Sequence, residues 1–130
     1  MVIDTSALIA ILLGEPETLR IANAINNDPK RVMSSFSLLE AGIVIEAKKG
    51  EVGGRELDLL THRCQIEIVS FTSEQFELAR ICWRKFGKGR HPAAMNIGDC
   101  CSYALSKFNN EPLLFKGEDF SKTDLKVVVY

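Results

Sequence analysis

The chain opens Met1-Val2-Ile3-Asp4-Thr5-Ser6-Ala7-Leu8, a short apolar run that ends in a carboxylate and two hydroxyls. An apolar segment from Ala7 to Leu13 follows and stops at Gly14. This order predicts a buried parallel strand, then a helix, with Asp4 at the carboxyl end of the strand. A strand buried on both faces needs helices above and below it, which narrows the choice of fold. In open α/β sheets, ligands bind at the carboxyl edge, so Asp4 is delivered to the place such folds use for chemistry.

The rest of the chain supplies the partners of that strand. Glu15-Pro16 is expected to open a second helix through Leu19, Ala22 and Ile25, and Asp28-Pro29 to stop it. A short strand is expected between Arg31 and Phe36. A helix from Ser37 to Lys49 carries Leu39, Ile43 and Ala47 on one face and ends at Gly50. Gly53-Gly54 precedes another, marked by Leu57, Leu60 and Cys64. Ile66 to Val69 reads as a third strand. Thr72 and Gln75 form a capping box for a helix with the stripe Phe76, Ala79, Trp83 and Phe86. After the loop Gly87 to Pro92, the residues Ile97, Cys100, Cys101, Ala104, Leu105 and Phe108 fall at helical spacing, up to Asn109-Asn110. Leu113 to Phe115 and Val127 to Val129 complete a set of about five strands. The alternation predicts one α/β domain over residues 1–130: a mostly parallel sheet with helices on both faces and right-handed crossovers.

Bulk properties exclude several classes. The 130 residues, 46% hydrophobic, are enough for a proper core. No apolar stretch is long enough to span a bilayer, and no basic segment precedes an apolar one. A cytoplasmic protein without a membrane segment is therefore expected. Cys64, Cys82, Cys100 and Cys101 show no C-x-x-C pairing and read as reduced thiols packed on helices. Zinc held by them with His62 or His91 would match no known spacing. No glycine-rich phosphate loop follows Ile3. A dehalogenase-type phosphatase would need a second Asp where Ser6 stands, and a receiver domain would need paired acids there.

Four acids carry the chemistry: Asp4, Glu40, Asp99 and Asp119. Each has a local reading as well. Asp4 suits an N-cap, and Ser37-x-x-Glu40 a capping box. Asp99 suits the first turn of a helix capped by Asn96, and Asp119 a turn. Yet Asp4 and Asp119 each closely follow an expected strand, Glu40 starts the helix after one and Asp99 the helix before one, and a doubly wound sheet can bring all four to one edge. Clustered carboxylates repel unless a cation joins them. Mg²⁺ or Mn²⁺ prefers such oxygen ligands, keeps several waters, and can activate one of them.

Val2-Ile3-Asp4-Thr5-Ser6-Ala7-Leu8, Ser37-Leu38-Leu39-Glu40, Asn96-Ile97-Gly98-Asp99-Cys100 and Leu114-Phe115-Lys116-Gly117-Glu118-Asp119-Phe120 together resemble the PIN domain, specifically the VapC-type toxins of bacterial toxin–antitoxin pairs. Gly87-Lys88-Gly89-Arg90-His91 resembles one branch of that family. The likeness spans essentially the whole chain. It implies a three-layer α/β/α fold and an Mg²⁺- or Mn²⁺-dependent endoribonuclease with Asp4, Glu40, Asp99 and Asp119 as metal-binding acids. Ser6 would match the hydroxyl that positions water or substrate. Glu118 and Asp124 remain alternatives for the fourth acid. The resemblance further implies a homodimer and a cognate VapB-type antitoxin, with DNA reached only through that antitoxin. A catalytically silent PIN module binding RNA or protein, and a PIN-fold DNA nuclease, are the competing functions.

The charge is unevenly spread. No acid lies between Leu78 and Gly98, where Arg80, Arg84, Lys85, Lys88 and Arg90 give +5; a chain of net −1 is therefore −6 elsewhere. The strip leads into the Asp99 helix, which suits RNA phosphates, with Arg84, Lys88 and Arg90 as the candidate contacts. A solvated helix face is the alternative. No RNA-stacking motif is visible. Lastly, Ala7 to Leu13 is apolar on every side, and Leu19, Ile21, Ile25, Ile43, Val44 and Ile45 add more apolar surface nearby. The expectation is a groove that accepts an amphipathic antitoxin helix.

Overall fold

The computed structural model describes residues 1–130. In chain order the elements are β1 (Val2–Ile3), α1 (Thr5–Leu12), α2 (Thr18–Asn27), β2 (Val32–Ser34), α3 (Ser35–Arg63), β3 (Glu67–Val69), α4 (Ser73–Phe86), α5 (Ile97–Asn109) and β4 (Leu113–Leu114), followed by a 3-10 turn at Phe120–Lys122. The strands form one parallel sheet in the order β3-β2-β1-β4.

Side-chain alternation along these strands divides the core in two. Val2, Val32 and Leu113 enter one apolar cluster with Cys82, Met95, Tyr103 and Leu105, from α4, α5 and the loop between them. Ile3, Met33 and Leu114 enter the other, with Leu8, Ile21, Ile25 and Ile45 from α1, α2 and α3. These six inward residues sit in strands of only two or three residues. Full burial of such side chains contributes about 1.5–3 kcal/mol each, against about 0.5–1.5 kcal/mol for a hydrogen bond. Packing from both faces, more than the ladder, holds so short a sheet.

Several local expectations change. α2 begins at Thr18, after a turn closed by Thr18 N–H donating to the Glu15 carbonyl at 3.0 Å. α3 starts directly from β2, and its cap is Ser34, whose Oγ accepts from Phe36 N–H at 3.2 Å. Ser37-x-x-Glu40 is therefore no capping box, and Ser37 is buried in the helix. At Gly50, φ is 66°, a left-handed value that favours glycine, and the helix breaks there. Residues 51–63 fold back on 35–49: a Cβ placed on Gly42 would lie 3.9 Å from Leu57. Gly53 and Gly54 face Ile45 and Glu46 across this hairpin and do not begin a helix. Thr72 does cap α4, accepting from Gln75 N–H at 3.3 Å, but the buried Gln75 Oε1 has no partner, so only half of the expected box forms. The fifth strand is reduced to one bridge, Leu113 to Val127.

The apolar α1 is not covered on all sides. Ala7, Leu8 and Ala10 are buried, whereas Ile9, Ile11 and Leu12 are half-buried. Leu19 and Ile43 are 77% and 63% exposed. α1, α2 and α3 thus leave an apolar surface open. No helix is long and apolar enough to cross a membrane. All four cysteines are free thiols.

Candidate active site

In a parallel sheet all carboxyl ends lie on one edge. β1 runs into Asp4, β2 runs through Ser34 into α3, and β4 runs into Phe115 and Lys116. α5 returns the chain to the start of β4, so its own N-terminus, with Asp99, lies at the same edge.

Asp4 is buried, and three donors surround its carboxylate. Oδ2 accepts from Ser6 N–H at 2.9 Å and Ser6 Oγ at 2.6 Å. Oδ1 accepts from Ser102 Oγ at 2.6 Å. A hydroxyl has one hydrogen, so Ser102 Oγ, 3.2 Å from Ser37 Oγ, accepts from it. Ser6 Oγ in turn accepts from Lys116 N–H at 3.0 Å. Asp4 is thus both the N-cap of α1 and the hub of a polar chain joining α1, α3, α5 and the loop after β4.

Asp99 and Asn96 form a reciprocal capping box: each side chain accepts from the other's backbone N–H at 2.9 Å. This fixes the Asp99 carboxylate at the mouth of α5. Burial pushes its pKa up to about 6; the Asn96 N–H acts against the rise, and the charges of Asp4, Glu40 and Asp119 add to it. Those same three acids came out of the sequence, and here they act on one carboxyl. Glu40, half-buried on α3, reaches α5 at Gly98. A Cβ at that position would sit 2.2 Å from Glu40 Oε2, so glycine is what admits the carboxylate.

The fourth position differs in character. Asp119 is 62% exposed and lies 3.6 Å from Lys122. Asp124 is engaged elsewhere, accepting from Tyr103 OH and Lys107 Nζ, each at 2.8 Å. Burial pushes its carboxyl up, but Lys107 and Tyr103 outweigh that and hold it below the usual range. Glu118 is exposed.

The donor set suits a hard divalent ion. All four acids offer oxygen, and Asp99 is raised first by burial and then by acids whose charge a cation would offset. Three carboxylates do not close on a single point. Mg²⁺ keeps several waters and takes one or two carboxylates directly, so it would not need three to converge.

The basic strip adjoins these acids. Arg84, at the end of α4, and Lys88, in the loop after it, line a groove that reaches Asn96 and Ile97. The Arg90 guanidinium stacks on Trp83, 4.0 Å from the ring centroid.

Known proteins match this chain along its length. The profile of the PIN domain covers residues 1–126. The chain belongs to the PIN-domain family. This PIN domain is 53% identical to a protein named ribonuclease VapC from Mycolicibacterium smegmatis, over 98% of this chain and 99% of that one. It is 52% identical to ribonuclease VapC30 of Mycobacterium tuberculosis, over 98% of each. Among solved structures it resembles VapC20 of Mycobacterium tuberculosis, described as a sarcin-ricin loop cleaving toxin, with a TM-score of 0.79, 17% identity and coverage of 99% and 98%. A toxin-antitoxin complex from Klebsiella pneumoniae gives a TM-score of 0.75 at 15% identity, with coverage of 99% and 97%. At such identities the structural likeness concerns the fold.

Sequence reasoning missed two groups in this PIN domain. Ser102 and Ser37 hold Asp4, and the signal was present: Ser102 follows Asp99 by three residues and so shares its helix face. Phe76 and Trp83 belong to the apolar stripe of α4, yet each is 46% exposed and so open to a ligand, a role that the stripe alone does not signal.

Proposed function

We propose that this single-domain chain, residues 1–130, is an Mg²⁺- or Mn²⁺-dependent endoribonuclease and the toxin of a type II toxin–antitoxin pair. One observation carries the reading: Asp4, Glu40 and Asp119 all act on the Asp99 carboxyl, in a chain 53% identical to a relative named as a ribonuclease. Asp4, Glu40, Asp99 and Asp119 would hold the metal, which when bound supplies an acidified water and offsets phosphodiester charge. Asp4 is oriented by the Ser6 and Ser102 hydroxyls, with Ser6 as a positioning residue. Asp99 is fixed by the Asn96 N–H. Glu40 is pressed toward Asp99 through the space that Gly98 leaves. Arg84, Lys88 and Arg90 meet RNA phosphates beside the acids.

The open apolar surface of α1, α2 and α3 supports an antitoxin helix as the partner, lying on the helix that Asp4 caps. We further propose a homodimer and a cytoplasmic location. Purified protein incubated with structured RNA tests the activity. Cleavage with Mg²⁺, none with chelator and none for Asp4→Asn are expected, with 5′-phosphate and 3′-hydroxyl ends, because a water nucleophile needs no 2′-hydroxyl. Cleavage by Asp4→Asn at the parent rate, or a 2′,3′-cyclic phosphate product, would overturn the site.

A further inference from the structure

Between α4 and α5 lies a groove of about 530 Å³, lined by Phe36, Phe71, Phe76, Trp83, Met95 and Ile97. That volume falls within the range of small-ligand sites. The walls are aromatic and the rim is basic. Arg80 stands 5.4 Å from the Phe76 ring centroid and Arg90 stands 4.0 Å from that of Trp83. None of Arg80, Arg84, Lys85, Lys88 and Arg90 is paired with a carboxylate. One end of the groove is Asn96, the residue that holds Asp99.

We propose that this groove is a stacking subsite for unpaired bases of the RNA next to the scissile phosphate, with Trp83 and Phe76 as the platforms. The proposal rests on the ribonuclease reading above and adds what that reading lacks, a place for the bases. Single-stranded RNA is held by aromatic rings and arginine planes that take any base face, while cations follow the backbone. The Arg90–Trp83 pair supplies both surfaces in one stack. Charge favours RNA over a second copy of the chain. A two-fold interface sets the same patch against itself. Here it would bring the unpaired Arg80, Arg84, Lys88 and Arg90 to face the same four, with no acid between Leu78 and Gly98 to answer them. A polyanion answers them all.

Trp83 is the only tryptophan, so intrinsic fluorescence reads the groove directly. The probe is a single-stranded oligoribonucleotide, titrated into the protein under chelator, beside a base-free ribose-phosphate strand of equal length. Quenching by the first and not by the second is expected. In cleavage with Mg²⁺, Trp83→Ala should raise KM by about 5- to 150-fold, the range of one lost base stack, with kcat moving far less. Trp83→Phe should restore most of the loss, a rescue that a merely structural role would not produce. Three outcomes overturn the subsite: equal quenching by both strands, an unchanged KM in a Trp83→Ala protein that still cleaves, or a Trp83 shielded from aqueous quenchers before RNA is added, with Trp83→Ala halving the molecular mass. The last would give the groove to a second copy. Absence of cleavage by the unaltered protein would instead sink the ribonuclease reading, while the quenching comparison would still decide the groove.

Discussion

Asp99→Asn should make the metal-free protein more stable at neutral pH. Folding raises the Asp99 pKa from 3.8 to about 6. The folded chain therefore binds this proton more tightly than the unfolded one. For this group, stability is greatest below the unfolded value, falls as pH rises from 3.8 to about 6, and stays lowered above that. The full shift corresponds to about 3 kcal/mol. Solvent reaches a half-buried carboxylate, and screening brings the penalty to about 1–2 kcal/mol. Asparagine removes it while keeping an acceptor for the Asn96 N–H. It also loses a favourable charge at the N-terminus of α5, worth about 0.3–1 kcal/mol. The net gain is about 1 kcal/mol, or about 4 °C in Tm for a domain of this size. Thermal melts under chelator would show it at about pH 7.5, and it should shrink to nothing near pH 4. Excess Mg²⁺ should reverse the order, because only the parent chain gains fully from binding. Equal midpoints at neutral pH, or a variant that melts lower, would refute the raised Asp99 pKa that burial, with the neighbouring acids, produces.

Ser102→Ala leaves Asp4 Oδ1 without its donor, and a hydrogen bond to a charged group contributes about 1.5–3 kcal/mol. Urea unfolding should register that loss, and cleavage should slow with it; an unchanged midpoint would remove Ser102 from the site. Changing Arg84, Lys88 and Arg90 together to Ala should flatten the salt dependence of single-stranded RNA binding by about 2 in log–log slope, about 0.7 per phosphate released. An unaltered slope would return them to a solvated face. Hydrogen exchange with and without the cognate antitoxin should show protection in α1, α2 and the first half of α3. Protection confined to other elements would rule out the apolar surface there as the docking site.

The layered α/β fold was legible because burial on two faces writes itself into β1, β2 and β4 as continuous apolar pairs. The helices were legible from their spacing. What failed was local. The break at Gly50 falls where its glycine implied, but the helix resumes at once, so Gly53-Gly54 lies inside the second half of α3 and not before it. Ser37-x-x-Glu40 satisfies the pattern of a capping box, but Ser34 takes the cap one turn earlier, because α3 follows β2 without a loop. That shift frees Ser37 for Ser102 and leaves Glu40 to face Gly98. Val127 to Val129 has strand composition, and only one residue pairs. The four acids were visible in the sequence, and the structure brings their charges to bear on one carboxyl. Invisible was the support beneath them: Ser102 touches Asp4 across 98 positions of chain, and no periodicity encodes such a pairing. The exposed faces of Phe76 and Trp83 were hidden for a similar reason, since a helical stripe says nothing about what covers it.

β1 lies between β2 and β4, and its second neighbour is made only after all five helices. Asp4 N–H donates to the Leu114 carbonyl at 2.9 Å, and Ser6 takes Lys116 N–H at 3.0 Å. The first acid of the site is therefore locked in place only when residues 114–116 arrive. A domain folds as a unit, so this edge has to wait for them. Until then β1 has an open side, and Asp4 lacks both Ser102 and the Lys116 loop. A ribosome carrying this chain is therefore not beside a finished nuclease until β4 has docked.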